Sequence, residues 1–133
     1  MADDGLITVA SAFPVSETVD RLAEAAEAAG MRVFARVDHA AGAAEAGMPL
    51  RPTELLLVGS PRGGTPLMQD GQTAGLDLPL RALAWEDAEG RVWVTTNDAA
   101  WIADRHGLGK ASAAAVSAVS AGLARIVGEA TGA

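Results

Sequence analysis

His39 and His106 are the only imidazoles in this chain, and imidazole is the side chain best suited to moving protons near neutral pH. His39 directly follows Asp38 at the end of a strand-like run, where rigid backbone commonly holds functional groups. An acid–base or ligand-contacting role therefore falls first to His39. His106 stands beside Gly107 at a helix C-terminus, where the dipole favours a cation for structural reasons alone. Neither histidine belongs to an HxH or HExxH spacing, so no metal centre is expected. Thr53, Thr65 and Asn97 end or follow core strands and would supply neutral polar contacts. Phe34 and Met68 would serve as apolar walls. With His39 they form the candidate site.

The densest signal is the stretch LRPTELLLVGSPRGGTPLMQDGQTAGLDLP, residues 50–79. Its turn, Gly59 to Thr65, follows a strand and precedes a helix-like segment, the layout of anion-binding loops, and Arg62 would add a bidentate contact. Neither a Gly-Lys-Ser/Thr ending nor Gly-x-Gly-x-x-Gly is present. Glycines relieving a tight turn beside Pro61 are the simpler reading. Five carboxylates border these segments: Asp38, Glu54, Asp70, Asp77 and Asp98. Glu54 opens an apolar strand, where a buried acid needs a cation, and Arg51 is the nearest in sequence. Ser60 lacks a nucleophile elbow, so a serine hydrolase is disfavoured.

Composition narrows the function classes further. A formal charge of −7, with ten Lys and Arg spread singly, argues against nucleic acid, which needs a basic face. The absence of cysteine removes disulfides, thiolate nucleophiles and cysteine-ligated metals. The amino-terminal acids do not suit a signal peptide, and the Ala-rich segment from Lys110 falls short of a membrane span. A soluble cytoplasmic protein is expected.

The elements that must position these residues follow from periodicity. Leu6 to Phe13 reads as a strand. A helix capped by Ser16 carries Val19, Leu22, Ala23 and Ala26 and stops at Gly30. Met31 to Asp38 alternates, with Met31, Val33, Ala35 and Val37 on one face. Asp38 caps a short helix over His39 to Ala46. Leu55 to Val58 is uniformly apolar and suggests a central strand or one covered on both faces. A short helix spans Thr65 to Asp70. Asp87-Ala88-Glu89-Gly90 joins the strands Leu80 to Glu86 and Val92 to Thr96 as a hairpin, with Trp85 and Trp93 packing across it. Asp98 caps a helix ending near Gly107. A last amphipathic helix, residues 110–129, closes the domain through Val116, Val119, Leu123, Ile126 and Val127. The expected fold is one α+β domain over 1–133: a single, mainly antiparallel sheet with helices packed on one face, a two-layer sandwich.

The runs VDHAAGAAEAGMPLRPTELLLVGSPRGGTPLM, LDLPLRALAWED and GRVWVTTNDAAWIADRHGL resemble the family catalogued as domain of unknown function 302 (DUF302). The resemblance covers Ile7 to about Leu108. It departs in Thr96, where relatives often carry Tyr, and in the Gly63-Gly64 pair. It implies a small prokaryotic α+β domain, often homodimeric, without an established reaction. The family's recurrent residues fall on His39, Pro52, Thr53, Gly59, Pro61, Thr65, Pro66, Asn97 and Asp98. Backbone geometry explains the prolines and Gly59.

Three function classes follow. The leading expectation is a small-molecule binding or enzymatic domain with a partly apolar pocket, served by His39; whether it turns over a substrate stays open. The second is a haem protein with His39 or His106 as axial ligand. The third is a noncatalytic homodimeric module, paired through a sheet edge or the last helix.

Overall fold

The computed structural model describes residues 4–132. Five strands form one sheet: β1 (Leu6–Ser11), β2 (Arg32–Asp38), β3 (Thr53–Gly59), β4 (Leu80–Glu86) and β5 (Val92–Asn97). Their order is β1-β5-β4-β3-β2, and every neighbouring pair is antiparallel. Five α-helices join them: α1 (Val15–Ala28), α2 (His39–Glu45), α3 (Pro61–Asp70), α4 (Ala99–Arg105) and α5 (Ala113–Thr131).

Strand alternation sorts the sheet into two unlike faces. Glu54, Leu56, Val58, Leu80, Ala82, Ala84, Val92, Val94 and Thr96 are buried on the face that meets α1 and α5. On the opposite face Leu55, Leu57, Leu83, Trp85 and Trp93 remain partly exposed, although α2 packs beside β3. The uniformly apolar strand β3 is thus interior to the sheet, yet covered fully on one side only.

Helix α1 presents Val15, Val19, Leu22 and Ala26 at helical spacing, all buried. Complete burial of Leu22, Leu56 and Ile126 stabilises the fold by about 1.5–3 kcal/mol per side chain. The helix begins earlier than a Ser16 cap would place it. Pro14 is the N-cap residue, and its carbonyl accepts the Thr18 N–H at 2.8 Å. Gly30 then ends the helix at φ +80°, a left-handed position natural to glycine.

Three further segments depart from simple periodicity. In β2 the register shifts between Val33, opposite Val58, and Ala35, opposite Leu57. Phe34 is the extra residue of this bulge, so Val33 and Val37 do not share a face as strict alternation would have it. Apart from Val33, the residues of β2 are exposed, as an edge strand allows. The glycine-rich turn is largely helix: Ser60 accepts the Arg62 N–H at 3.2 Å, and Pro61 opens α3. Proline suits this first position, because a helix leaves that N–H unused anyway. Residues Gln72–Asp77 form an additional 3-10 turn between the expected helix and strand.

The hairpin holds as expected. Gly90 adopts φ +81°, and the Trp85 and Trp93 rings lie 6.4 Å apart. Asp98 caps α4 by accepting the Ala100 N–H at 3.0 Å. The segment Lys110–Thr131 is long and apolar enough, by length and composition alone, to cross a membrane. Leu123, Ile126, Val127 and Ala130 nevertheless belong to the main core beside α1. The helix serves here as the lid of the sandwich.

Candidate functional site

At the end of the sheet where β2 begins and β3 stops, the helices diverge around a cavity of about 470 Å³. This size lies within the range of small-molecule sites. The turn after α1 contributes Gly30 and Met31, and the β2 bulge contributes Phe34. Helix α3 offers Gly64, Thr65 and Met68; Leu78 and Pro79 enclose another side, and Val119 of α5 faces them. No ionisable side chain is among the lining residues. Ser60 and Thr65 carry the only side-chain hydroxyls on that lining, and the Ser60 oxygen is already occupied by capping α3.

The glycines of α3 are explained by this packing. A Cβ on Gly63 would stand 3.3 Å from Val119 Cγ2, a tight contact that would press α3 and α5 apart by a few tenths of an ångström. A Cβ on Gly64 would instead meet Leu78 Cδ1 at 3.5 Å and Met68 Cε at 3.9 Å, at the cavity itself. The helix end is anchored by Asp70, whose carboxylate accepts the Gly109 N–H at 2.9 Å and the Ser112 hydroxyl at 2.7 Å. Those bonds, the Gly109 amide first, hold the Asp70 carboxyl below its ordinary pKa, because they favour the charged form.

Three of the expected site residues meet here: Phe34, Thr65 and Met68 all line the cavity. His39, Thr53 and Asn97 do not. His39 is the exposed first residue of α2, one step beyond the pairing of Asp38 with Glu54. Thr53 is therefore its neighbour across the strands, but Thr65 lies past the other end of β3, roughly 20 Å away along the strand. The Thr53 hydroxyl donates to the Arg51 carbonyl at 2.8 Å and shapes the entry into β3. The Asn97 Oδ1 accepts the Arg81 N–H at 2.8 Å, a backbone duty at the start of β4. Met31, Leu78 and Val119 were not among the expected site residues, because apolar residues on a strand entry, a loop and a helix read simply as core.

His106 is held rather than free. Its Nε2 faces Asp77 Oδ2 at 2.5 Å, its Nδ1 faces the Thr73 hydroxyl at 2.9 Å, and only 6% of its side chain is exposed. Arg105 adds a contact to Asp77 at 3.1 Å. This cluster pins the 3-10 turn, which contributes Gly75 to the cavity wall. With both ring nitrogens engaged, His106 has none ready for a haem iron, and no histidine lines the cavity.

Glu54 is buried as expected, with a different partner. Arg36 Nε donates to its Oε1 at 2.9 Å, while Arg51 Nε reaches the Glu86 carbonyl at 3.2 Å. After the bulge, Arg36 and Glu54 share the helix-covered face, and Asp20 of α1 takes a second guanidinium N–H at 2.6 Å. Asp20 first, and Glu54 with it, hold Arg36 above its ordinary pKa against the opposing effect of burial.

Comparison with known proteins agrees with this architecture. Two Brucella proteins named as fluoride-specific ion channels are similar in sequence. FluC 1 of Brucella suis biovar 1 is 55% identical over 130 residues, which cover 98% of this chain and 51% of that protein. FluC 1 of Brucella abortus biovar 1 is 55% identical over 98% of this chain and 48% of its own length. The chain thus spans about half the length of these relatives. The crystal structure of an uncharacterized conserved DUF302 protein from Bacillus stearothermophilus superimposes with a TM-score of 0.84 at 17% identity, over 95% of this chain and 98% of that one. A model of the family described as domain of unknown function DUF302 matches residues 7–128, and the chain belongs to that family.

Proposed function

We propose that this protein is a small-molecule-binding domain, and that the ligand enters the apolar cavity between α3, α5 and the β2 bulge. The observation that carries the reading is a cavity of about 470 Å³ walled by Met31, Phe34, Met68, Leu78 and Val119. Apolar walls with a few polar groups are the usual make-up of such sites. A lining without an acid or base to activate its hydroxyls favours binding over turnover, and His39 has no part in this pocket. A leucine at position 64 would project toward Leu78 and Met68 and occupy the space, while improving helix propensity over glycine. Wild-type protein is expected to bind the neutral fluorescent probe phenylnaphthylamine, and Gly64→Leu to lose that binding with its circular dichroism spectrum intact. Equal binding by both proteins would remove the reading.

The channel activity named for the Brucella relatives is placed, in this reading, in the half of those proteins that this chain does not match. An open sheet with two edge strands would leave backbone groups unpaired in hydrocarbon, so this domain is assigned to water.

A second reading, a homodimer, is favoured by the less covered sheet face bearing the partly exposed Leu55, Leu57, Leu83, Trp85 and Trp93. Five strands of six or seven residues give a footprint of roughly 500 Å² per protomer, about 1,000 Å² for a pair, at the lower limit of specific interfaces. Face-to-face packing of two copies would cover it. Sedimentation as a single 13.4 kDa species at micromolar concentration would exclude this.

A further inference from the structure

The cavity has no charged lining, but two arginines are chain neighbours of lining residues. Arg32 separates Met31 from the β2 bulge, and its guanidinium carbon stands 5.7 Å from the centroid of the Phe34 ring; both Met31 and Phe34 line the cavity. Arg62 stands between Pro61 and Gly63, two further lining residues, one helical step from the face that carries Pro61, Thr65 and Met68. Both arginines are exposed. Among the described residues neither guanidinium has an ion pair or hydrogen bond; the same holds for Arg81 and Arg91, which lie outside the cavity lining, whereas those of Arg21, Arg36, Arg51, Arg105 and Arg125 are engaged. The nearest acid on α3, Asp70, is committed to Gly109 and Ser112. In a chain of net charge −7, what distinguishes these two unengaged cations is their place next to residues that line the apolar cavity.

We propose that the ligand is an amphiphilic anion, an aliphatic or aromatic carboxylic acid. Its apolar body lies among Met31, Phe34, Met68, Leu78 and Val119, and its carboxylate stays at the mouth within reach of Arg32 and Arg62. This rests on the cavity being a binding site and adds the chemistry of the occupant. Guanidinium groups suit a carboxylate because their paired N–H donors match its two oxygens. The Arg32 guanidinium lies over the Phe34 ring, with its carbon 5.7 Å from the centroid, while the side chain stays exposed to water. The long side chains allow the head group to be met at the surface without burying its charge, which would be costly.

Two probes that share a ring system separate the body from the head. Anilinonaphthalene sulfonate carries an anionic group, and phenylnaphthylamine does not. In titrations of the whole chain, Arg32→Gln and Arg62→Gln are each expected to weaken the sulfonate by about fivefold and to leave the neutral probe unchanged. Arg91→Gln, which removes an equally exposed arginine at the distant hairpin, is expected to change neither. A sulfonate affinity unaffected by the Arg32/Arg62 double substitution would overturn the anionic assignment while leaving the pocket in place. So would an equal loss in Arg91→Gln, because the effect would then be one of overall charge. Failure of the neutral probe to bind wild-type protein would remove the pocket and this assignment together.

Discussion

Single residues show how the chain accommodates polar groups at the edge of an alanine-rich core. Glu54 is 8% exposed and tolerable there because Arg36 binds it and is bound in turn by Asp20. Removing Arg36 would leave a largely desolvated carboxylate without its cation. Arg36→Ala is therefore expected to lower unfolding free energy by about 1–3 kcal/mol in urea titrations; the value stays below that of a fully buried pair because Arg36 is partly exposed. Asp87 organises the hairpin differently. Its carboxylate accepts from the Trp93 indole at 2.9 Å and from the Glu89 and Arg91 backbone N–H groups. These bonds, the indole first, hold its pKa below the ordinary value. A depressed folded pKa means that the contribution is complete above the ordinary carboxylate range and is lost as pH falls through the folded value. Asp87→Asn should therefore lower stability near neutrality and flatten the acid side of the stability profile, measured by denaturant unfolding across pH. The hairpin was legible in the sequence because its turn is local. Arg36, eighteen positions from Glu54, was not, because a bulge decides which face it occupies.

Among the elements, α3 is intrinsically the weakest helix. It contains Gly63, Gly64 and an internal Pro66, residues that disfavour helix by about 1 and about 3 kcal/mol respectively. Packing against α5, with Val119 close to Gly63, and the Ser60 cap must offset this. Ser60→Ala is expected to cost about 1 kcal/mol. Native-state hydrogen exchange should show the α3 amides of Leu67 and Met68 opening before those of α1; exchange at the global rate alone would contradict it. Helix α1 was legible because one apolar stripe and Gly30 mark it without ambiguity. Helix α3 was partly hidden, since two glycines and a proline read locally as a turn and only the tertiary contact with α5 makes them helical. The 3-10 turn Gln72–Asp77 was hidden for a related reason: His106, far along the chain, fastens it through Thr73 and Asp77.

At the scale of the whole molecule, the sandwich is one-sided, with a packed face under α1 and α5 and a half-apolar face without a helical cover of equal extent. Leu83 lies on that open face, on the central strand β4. In the homodimer proposed above, Leu83→Lys is expected to give a monomer by sedimentation while leaving thermal unfolding cooperative; a mass independent of this charge would rule out pairing through this face. The chain by itself determined the α+β class, the succession of elements along the sequence, the hairpin and the family, because each rests on local periodicity, caps, turns or a contiguous motif. Phe34, Thr65 and Met68 were legible as candidates because they flank strand ends and the glycine-rich segment. Only the tertiary structure decided that they meet in one cavity and that His39 and Asn97 stand apart from it. Antiparallel register sends His39 and Thr65 to opposite ends of β3, and residues that share a motif then diverge by the length of a strand. The glycine-rich stretch likewise proved to be a helix fitted closely to α5, since a missing Cβ serves packing as readily as it serves a turn.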